Sequence, residues 1–141
     1  MVAVTTEQIR LAGVAGAGGA GFPTHIKLSG RAEAVLLNAA ECEPLLHKDK
    51  ELLRCRGEAV VEGLSVAMRL TGAKQAIIGI KEKYKDVIES LRPLLGPGMS
   101  IAPLADAYPA GDEFVLVYNT LGRVVPPGNI PLAVGAVVMN V

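Results

Sequence analysis

Short apolar runs without polar alternation recur along the chain at residues 34–38, 75–80 and 101–104. Such a run is typical of a strand buried on both faces of a parallel sheet, whereas a strand with one wet face alternates apolar and polar residues. Residues 134–139 form a fourth apolar run near the end of the chain. The pattern therefore predicts about four strands, most of them parallel and buried.

Segments in which apolar residues have helical spacing lie before and between these runs. Thr5 and Gln8 have the spacing of a capping box, which predicts a short first helix that ends near Gly13. Apolar positions over residues 52–68 predict a long helix that ends at Gly72, because glycine commonly follows the last turn of a helix.

Glycine at position 57 falls inside this long helix and predicts a break in it. Residues 84–91 have apolar side chains at i, i+3, i+4 and i+7, and the Gly-Pro pair at 96–97 would end that helix. Residues 114–121 also have helical spacing, with Asp112 placed as the cap, although their β-forming residues leave a strand open as the alternative. Strands that alternate with helices predict an α/β fold, a Rossmann-like three-layer domain with a mainly parallel sheet of about four strands.

The charge balance and the hydropathy pattern exclude two classes of protein. The 141-residue chain has 14 Lys and Arg and 14 Asp and Glu, so it lacks the basic excess that nucleic-acid binding requires. No apolar run approaches the roughly 18 residues that cross a bilayer, and the N-terminus lacks the order of a signal peptide. We expect a cytoplasmic protein that binds no nucleic acid and does not insert directly into a membrane.

The two cysteines, Cys42 and Cys55, predict no metal site, because a closed zinc site needs four ligands. We interpret them as reduced thiols, with one disulfide as the alternative. Residues 134–141 stop within an apolar strand pattern, whereas natural termini are usually frayed and polar. We therefore expect a fragment of a longer protein.

The glycine-rich segment at residues 16–21 is the first candidate for a ligand site. Its Gly-x-Gly-x-x-Gly pattern is a weak dinucleotide signal here, because a helix precedes it and Pro23 follows it, whereas the dinucleotide fingerprint has a strand before it and a helix directly after it. Gly16, Gly18 and Gly19 nevertheless allow backbone N–H groups to approach a phosphate closely. Lys27 follows and could supply a positive charge to a phosphate or an anionic ring. The alternatives are a flexible surface loop and a solvated lysine.

Loops that follow the predicted strands carry the remaining candidates, and such loops converge at the carboxyl edge of a parallel sheet. Asn38 ends the first strand and can donate to and accept from the amide edge of a heterocycle. Glu41 and Glu43 could hold ribose hydroxyls or the amide of a nicotinamide. We expect the loops at 39–49 and 105–113 to meet at one site, together with Asn140.

The loop before the last predicted helix contributes Tyr108, Gly111, Asp112 and Glu113. Tyr108 could stack on a ring, and Gly111 permits close approach. Asp112 or Glu113 at a helix start is also what a cap requires, so capping alone is the alternative for these two residues.

These segments resemble the flavin-binding domain of the 51 kDa subunit of respiratory complex I, and more closely RnfC, PduS-type and proline-reductase-associated electron-transfer proteins. The resemblance covers nearly the whole chain, 1–141 as one domain, and the stretch Gly-Gly-Ala-Gly-Phe-Pro-Thr is its most specific part. The matching segments, in order, are residues 18–24 with Lys27, Asn38 with Glu41, Glu43 and Pro44, Tyr108 with residues 111–113, and residues 140–141.

The resemblance implies a flavoprotein oxidoreductase subunit that binds FMN non-covalently and oxidises NADH. Electrons would pass to iron–sulfur clusters, whose cysteine motifs lie beyond this domain, and then to other electron-transfer subunits or acceptor proteins, in a complex that could be peripheral to a membrane. Ala40 replaces an aspartate of complex I, which removes one polar contact. The implied FMN-binding residues are Gly16, Gly18, Gly19, Lys27, Asn38, Glu41, Tyr108, Gly111, Asp112 and Asn140, and the implied NADH-binding residues are Phe22, Glu43 and Glu113.

Two other functions stay open at this point. The chain could be a docking domain of an electron-transfer complex that holds no flavin, or an NAD(P)-binding dehydrogenase domain. We also expect a truncated domain to bind FMN less tightly, because residues after Val141 would help to close the site.

Overall fold

The computed structural model describes residues 3–16, 20–43 and 45–141. Helices and strands alternate along these residues as expected for an α/β fold. In chain order the elements are α1 (Thr6–Leu11), α2 (Thr24–Ser29), β1 (Ala34–Ala39), α3 (Lys48–Thr71), β2 (Gln75–Lys81), α4 (Lys85–Leu91), β3 (Met99–Leu104), α5 (Glu113–Leu121) and β4 (Ala136–Asn140), with short 3₁₀ helices at Arg92–Leu94 and Pro131–Val134.

The four strands form one parallel sheet with the order β3-β2-β1-β4. This confirms the predicted α/β fold and its parallel sheet. In the central strand β1, Asn38 lies between Gly79 of β2 and Asn140 of β4. Since β4 is an edge strand, one side of it pairs with β1 and the other side is free for contacts outside the sheet.

The core lies in two layers, one on each face of the sheet. Side chains alternate between the faces along each strand, so that Leu36 and Leu37 of β1 belong to opposite layers. One layer packs the sheet against α3 and α4, and the other packs it against α5. The larger layer includes Leu37, Leu53, Leu64, Ile78, Val87, Leu91 and Val137, and the smaller includes Leu36, Leu104, Leu116, Val117 and Val138.

Several local predictions are confirmed. The Thr5 side chain accepts from the Gln8 backbone N–H at 3.2 Å and the Gln8 side chain accepts from the Thr5 backbone N–H at 2.9 Å, which completes the capping box. Gly72 ends α3 with a left-handed φ of 73°, which glycine adopts without steric cost. Residues 114–121 are helical, so the strand alternative for them is wrong.

Other predicted bounds differ from the structure by a few residues. The first helix ends at Leu11, near Gly13 as predicted, whereas the helix at 84–91 ends at Leu91 and continues as a 3₁₀ helix to Leu94, just before residues 96–97. The last strand begins at Ala136, because the segment from Pro131 to Val134 forms a 3₁₀ helix. The break in α3 lies at Arg56, whose φ of −135° is not helical, one residue before the predicted glycine.

Two further elements differ from the predicted loops. Helix α3 begins at Lys48, inside the loop predicted for residues 39–49. Helix α2 occupies Thr24–Ser29, where no helix was predicted. Among the residues that the structure describes, no helix is both long and apolar enough to cross a membrane.

Candidate functional site

A cavity of about 430 Å³ runs along the free side of β4 and reaches the carboxyl end of β1. Its volume falls within the roughly 300–1,000 Å³ that is usual for small-molecule and cofactor sites. Six segments surround it: the glycine-rich segment, α2, the end of β1, the loop before α5, the 3₁₀ helix at Pro131–Val134 and β4 itself. The residues that line it are Gly16, Ala20, Gly21, Phe22, Ile26, Lys27, Asn38, Gly111, Asp112, Glu113, Ile130, Pro131, Leu132, Ala136, Val137, Val138 and Asn140.

The cavity gathers most of the residues singled out in the sequence. Glu41, Glu43 and Tyr108 do not line it. Gly18 and Gly19 lie outside the described residues, as does Pro44. The predicted residues that line it are Gly16, Phe22, Lys27, Asn38, Gly111, Asp112, Glu113 and Asn140.

The described ends of the glycine-rich segment are held together by backbone hydrogen bonds. The Gly16 N–H donates to the Phe22 carbonyl at 2.9 Å, and the Thr24 N–H donates to the Val14 carbonyl at 3.1 Å. Ala15 forms an antiparallel bridge with Pro23. The described ends of the segment are therefore fixed to each other at its base, and Gly16, Ala20 and Gly21 line the cavity.

Lys27 brings positive charge to this cavity, and among its described lining residues no other side chain does so. The ammonium lies 5.5 Å from the centroid of the Phe22 ring and donates to the Val138 carbonyl at 3.0 Å. These two contacts hold the Lys27 ammonium between the Phe22 ring and the side of β4 that faces away from β1. This placement differs from that of a solvated surface lysine.

Asn38 and Cys42 both bond to Gly111, which lies in the distant loop before α5. The Asn38 Nδ2 donates to the Gly111 carbonyl at 2.7 Å, and the Gly111 N–H donates to the Cys42 Sγ at 3.0 Å. The Asn38 Oδ1 accepts from the Ala40 N–H at 3.1 Å. The loops after β1 and β3 therefore converge as predicted, and the Asn38 amide already has protein partners on both of its atoms.

Asp112 both lines the cavity and caps α5. Its Oδ1 accepts from the Phe114 N–H at 2.9 Å and from the Val115 N–H at 3.1 Å. Carboxylates in this position are stabilised by the partial positive charge of the helix N-terminus. The predicted cap is confirmed, and the charge that Asp112 presents to the cavity is partly offset by these donors.

The three predicted residues outside the cavity occupy other positions. The Glu41 Oε2 accepts from the Asp49 N–H at 3.2 Å in the first turn of α3, where the N-cap residue His47 makes no side-chain cap. Glu43 is exposed. Tyr108 is 86% exposed and lies away from the cavity walls.

Next to Glu41, the carboxylate of Asp49 is buried. Burial raises the pKa of Asp49 above its usual value, and the Lys48 ammonium, 2.8 Å from the Asp49 Oδ1, opposes the rise. The charge of Glu41 adds to the rise. Lys48 and Asp49 lie at the start of α3, and neither the Asp49 carboxylate nor the Glu41 carboxylate lines the cavity.

The apolar walls of the cavity were not predicted as site residues. They come from Ile26 of α2, from Ile130 and Leu132 before β4, and from Val138 of β4 itself. Periodicity identified Val138 as a buried strand residue, but the position of β4 at the sheet edge was not visible in the sequence. Cys42 was also missed, since its place in the chain indicated no partner for the thiol.

Known proteins share the sequence pattern of this chain. A family model described as the Nuo51 FMN-binding domain matches residues 9–141. The cobalamin reductase PduS of Citrobacter freundii is 49% identical over 135 residues, which are 96% of this chain and 30% of that protein. One subunit of the Na(+)-translocating ferredoxin:NAD(+) oxidoreductase complex of Acetobacterium woodii is 41% identical over 141 residues, covering 96% of this chain and 32% of the relative.

The fold is shared with a chain of a solved hydrogenase. A chain in the crystal structure of an NAD+-reducing [NiFe]-hydrogenase in the air-oxidized state superposes with a TM-score of 0.84 at 29% identity, covering 96% of this chain and 28% of that chain. The chain thus spans about a third of the length of the relatives that it matches. These relatives are oxidoreductases or their subunits, and the family match extends over nearly every residue. The chain belongs to the Nuo51 FMN-binding domain family.

Proposed function

We propose that this chain binds FMN non-covalently in the cavity beside β4, as the flavin domain of a longer NADH-oxidising protein. The observation that carries the proposal is the cavity itself. It joins the glycine-rich segment, the Lys27 ammonium and the carboxyl ends of β1 and β4 around one volume of about 430 Å³.

The chemistry of the cavity walls fits a flavin nucleotide. Apolar side chains such as Leu132 and Val138 suit the flat faces of a ring system, whereas Asn140 offers an amide that can donate and accept at the ring's polar edge. Lys27 supplies the cation that a phosphate or an anionic ring requires. Gly16 has no side chain to exclude a phosphate from its side of the cavity, and Gly18 and Gly19 are proposed to bind the phosphate through their backbone N–H groups.

Two of the three residues proposed for NADH, Phe22 and Glu113, line the same cavity. Phe22 is 39% exposed, so its ring is accessible to stack on an adenine or nicotinamide outside the flavin. Glu113 lines the cavity and can accept hydrogen bonds from ribose hydroxyls. Glu43 lies in the loop after β1, outside the cavity walls, and would reach only an extended dinucleotide.

Bound FMN supplies the redox chemistry, since it accepts a hydride and releases electrons singly. The protein residues would bind and orient it: Lys27 would contact its phosphate or its anionic ring, Asn140 and the Gly111 backbone would contact its polar edge, and the apolar walls would exclude water. Binding of NADH beside the flavin would make hydride transfer between them effectively unimolecular.

The later steps of electron transfer would take place outside this domain, and we infer them from the relatives of the chain. We infer that electrons leave to iron–sulfur clusters outside this domain, and from there to other electron-transfer subunits or acceptor proteins. The relatives named above include a subunit of an ion-translocating complex, which supports a cytoplasmic position peripheral to a membrane complex.

Titration of the purified chain with FMN tests the proposal directly. We expect saturable changes in the visible flavin spectrum, quenched flavin fluorescence and a higher melting temperature, because a ligand that binds only the folded state stabilises it. Riboflavin, which lacks the phosphate, is the matched ligand control and should bind more weakly. No change in spectrum or melting temperature with excess FMN would exclude flavin binding, and the docking function would then be favoured.

A parallel titration with NADH and NADPH separates the third possibility. Tight binding of either dinucleotide to a chain that does not bind FMN would indicate an NAD(P)-binding dehydrogenase domain. Reduction of protein-bound FMN by NADH, followed as bleaching of the flavin spectrum, would support the complete proposal.

A further inference from the structure

The backbone N–H and the backbone carbonyl of Gly111 are both hydrogen-bonded, one to the loop that follows β1 and the other to the carboxyl end of β1 itself. The Asn38 amide donates to its carbonyl at 2.7 Å, and its N–H donates to the Cys42 Sγ at 3.0 Å. The Cys42 thiol in turn donates to the Ala40 carbonyl at 3.3 Å. We call these three residues, Asn38, Cys42 and Gly111, the Gly111 clamp.

Packing around Gly111 leaves no freedom for the peptide to shift toward β1. A Cβ atom added at Gly111 would lie 2.1 Å from the Ala40 carbonyl oxygen and 2.9 Å from the Cys42 Sγ. Ala40 is itself 1% exposed in the core. The two loops are therefore in backbone contact, and the contact is as close as glycine permits.

We propose that Cys42 is a positioning residue, which acts through Gly111 to fix one wall of the cavity. Gly111, Asp112 and Glu113 are consecutive and all line the cavity, whereas Cys42 does not. The thiol thus lies behind the wall and orients the peptide that faces the ligand. This inference rests on the proposed function for the nature of the ligand, but the geometry of the Gly111 clamp is independent of it.

The chemistry of the thiol suits this role. A thiol is a weak donor and a weak acceptor, and here it satisfies one N–H and one carbonyl of two different loops. Without the thiol, the partly buried N–H of Gly111 would have no acceptor. An unpaired backbone donor in such an environment destabilises the folded state. The peptide would then rotate to find water or another acceptor, and the position of Asp112 and Glu113 would change with it.

Two substitutions at Cys42 separate positioning from simple packing. Cys42→Ala removes the acceptor, whereas Cys42→Ser retains a hydroxyl that can accept from Gly111 and donate to Ala40. Cys55, exposed on α3 and outside the cavity, provides the control Cys55→Ala. For each variant the measurements are the Kd for FMN, the melting temperature and the hydrogen exchange rate of the Gly111 amide without ligand.

We expect Cys42→Ala to weaken FMN binding about tenfold, equivalent to about 1.4 kcal/mol, and to accelerate exchange of the Gly111 amide. Cys42→Ser should retain most of the FMN affinity and most of the protection of the Gly111 amide from exchange. Cys55→Ala should change neither the FMN affinity nor the exchange rate. A Cys42→Ala variant that melts earlier but keeps its FMN affinity would overturn the proposal, as would a serine variant no better than alanine.

The exchange rate distinguishes this proposal from the proposed function. If the unaltered chain binds no FMN, flavin binding fails, yet the Gly111 amide still reports on the clamp. Faster exchange in Cys42→Ala, with recovery in Cys42→Ser, would then support positioning of the cavity wall. Equal exchange rates in all variants would refute it.

Discussion

The ammonium of Lys27 donates to the carbonyl oxygen of Val138, which lies 111 positions further along the chain, at a distance of 3.0 Å. This bond joins α2 to the side of β4 that no strand covers. It also places the charge where an anionic ligand in the cavity can contact it. A lysine with one committed hydrogen bond retains two further N–H donors for such a ligand.

Replacing Lys27 with Met should weaken FMN binding by about tenfold or more. The change retains a long apolar side chain but removes the charge, and a hydrogen bond to a charged group contributes about 1.5–3 kcal/mol. Isothermal titration or fluorescence quenching gives the Kd. The matched control is Lys50→Met, because Lys50 lies over the Tyr84 ring and does not line the cavity. Equal affinities in the two variants would show that Lys27 does not contact the ligand.

Replacing Gly111 with Ala should destabilise the fold by about 1–3 kcal/mol or more, because the new methyl group would overlap the Ala40 carbonyl at 2.1 Å. Urea denaturation measures the change. Gly63→Ala is the control, since none of the described residues lies within 4 Å of a Cβ at that helical position, and it should stabilise the chain by up to about 1 kcal/mol. A neutral Gly111→Ala variant would contradict the close contact between the loops.

Replacing Asp112 with Ala should cost about 0.5–2 kcal/mol of stability, the usual loss for an N-cap, because two N–H groups of α5 lose their acceptor. Asp112→Asn should retain nearly all the stability, since asparagine caps as well as aspartate. Thermal denaturation compares the two variants. If asparagine were as damaging as alanine, the charge of Asp112 rather than its capping would be the important property.

Replacing Asp49 with Asn should remove part of the pH dependence of folding. Because the pKa of Asp49 is raised by burial, the folded chain holds that proton more tightly than the unfolded chain. Its contribution to stability is therefore complete below the ordinary value of 3.8 and is lost as pH rises through the raised pKa. The free energy of unfolding, measured from pH 4 to pH 7, should rise in Asp49→Asn relative to the unaltered chain as pH increases. A difference that shrinks with pH would contradict this sign.

The strands could be predicted because their apolar runs are continuous. Residues 34–38 and 75–80 do not alternate apolar and polar side chains, as a strand with one solvated face would. They therefore indicated strands buried on both faces, which are typical of a parallel sheet. Helix α2 could not be predicted in the same way. It has six residues, begins directly after Pro23 and buries only Thr24 and Leu28, which is too few to give a period.

Residues of the candidate site could be predicted where they lie at the end of a strand or in the loop after it. They could not be predicted where tertiary packing determines which partner a side chain contacts. Asn38, Gly111 and Asn140 were expected at the strand ends, and they line the cavity. Glu41 was expected beside them, but its carboxylate is bonded to the first turn of α3. The Asp49 N–H became a partner for Glu41 because α3 begins at Lys48, and the loop sequence did not indicate that helix start.

The side of β4 that pairs with no described strand faces the cavity, although Ala136, Val137 and Val138 are themselves buried. A strand edge without a neighbouring strand is a template on which a strand from another molecule can add, and such additions lead to aggregates, so this edge has a consequence for the solubility of the domain. Lys27 blocks one carbonyl of that edge, at Val138, and lysine is a residue that natural proteins use to protect such edges. A molecule that fills the adjacent cavity would shield more of the same edge, so cofactor occupancy would also keep the chain from self-association.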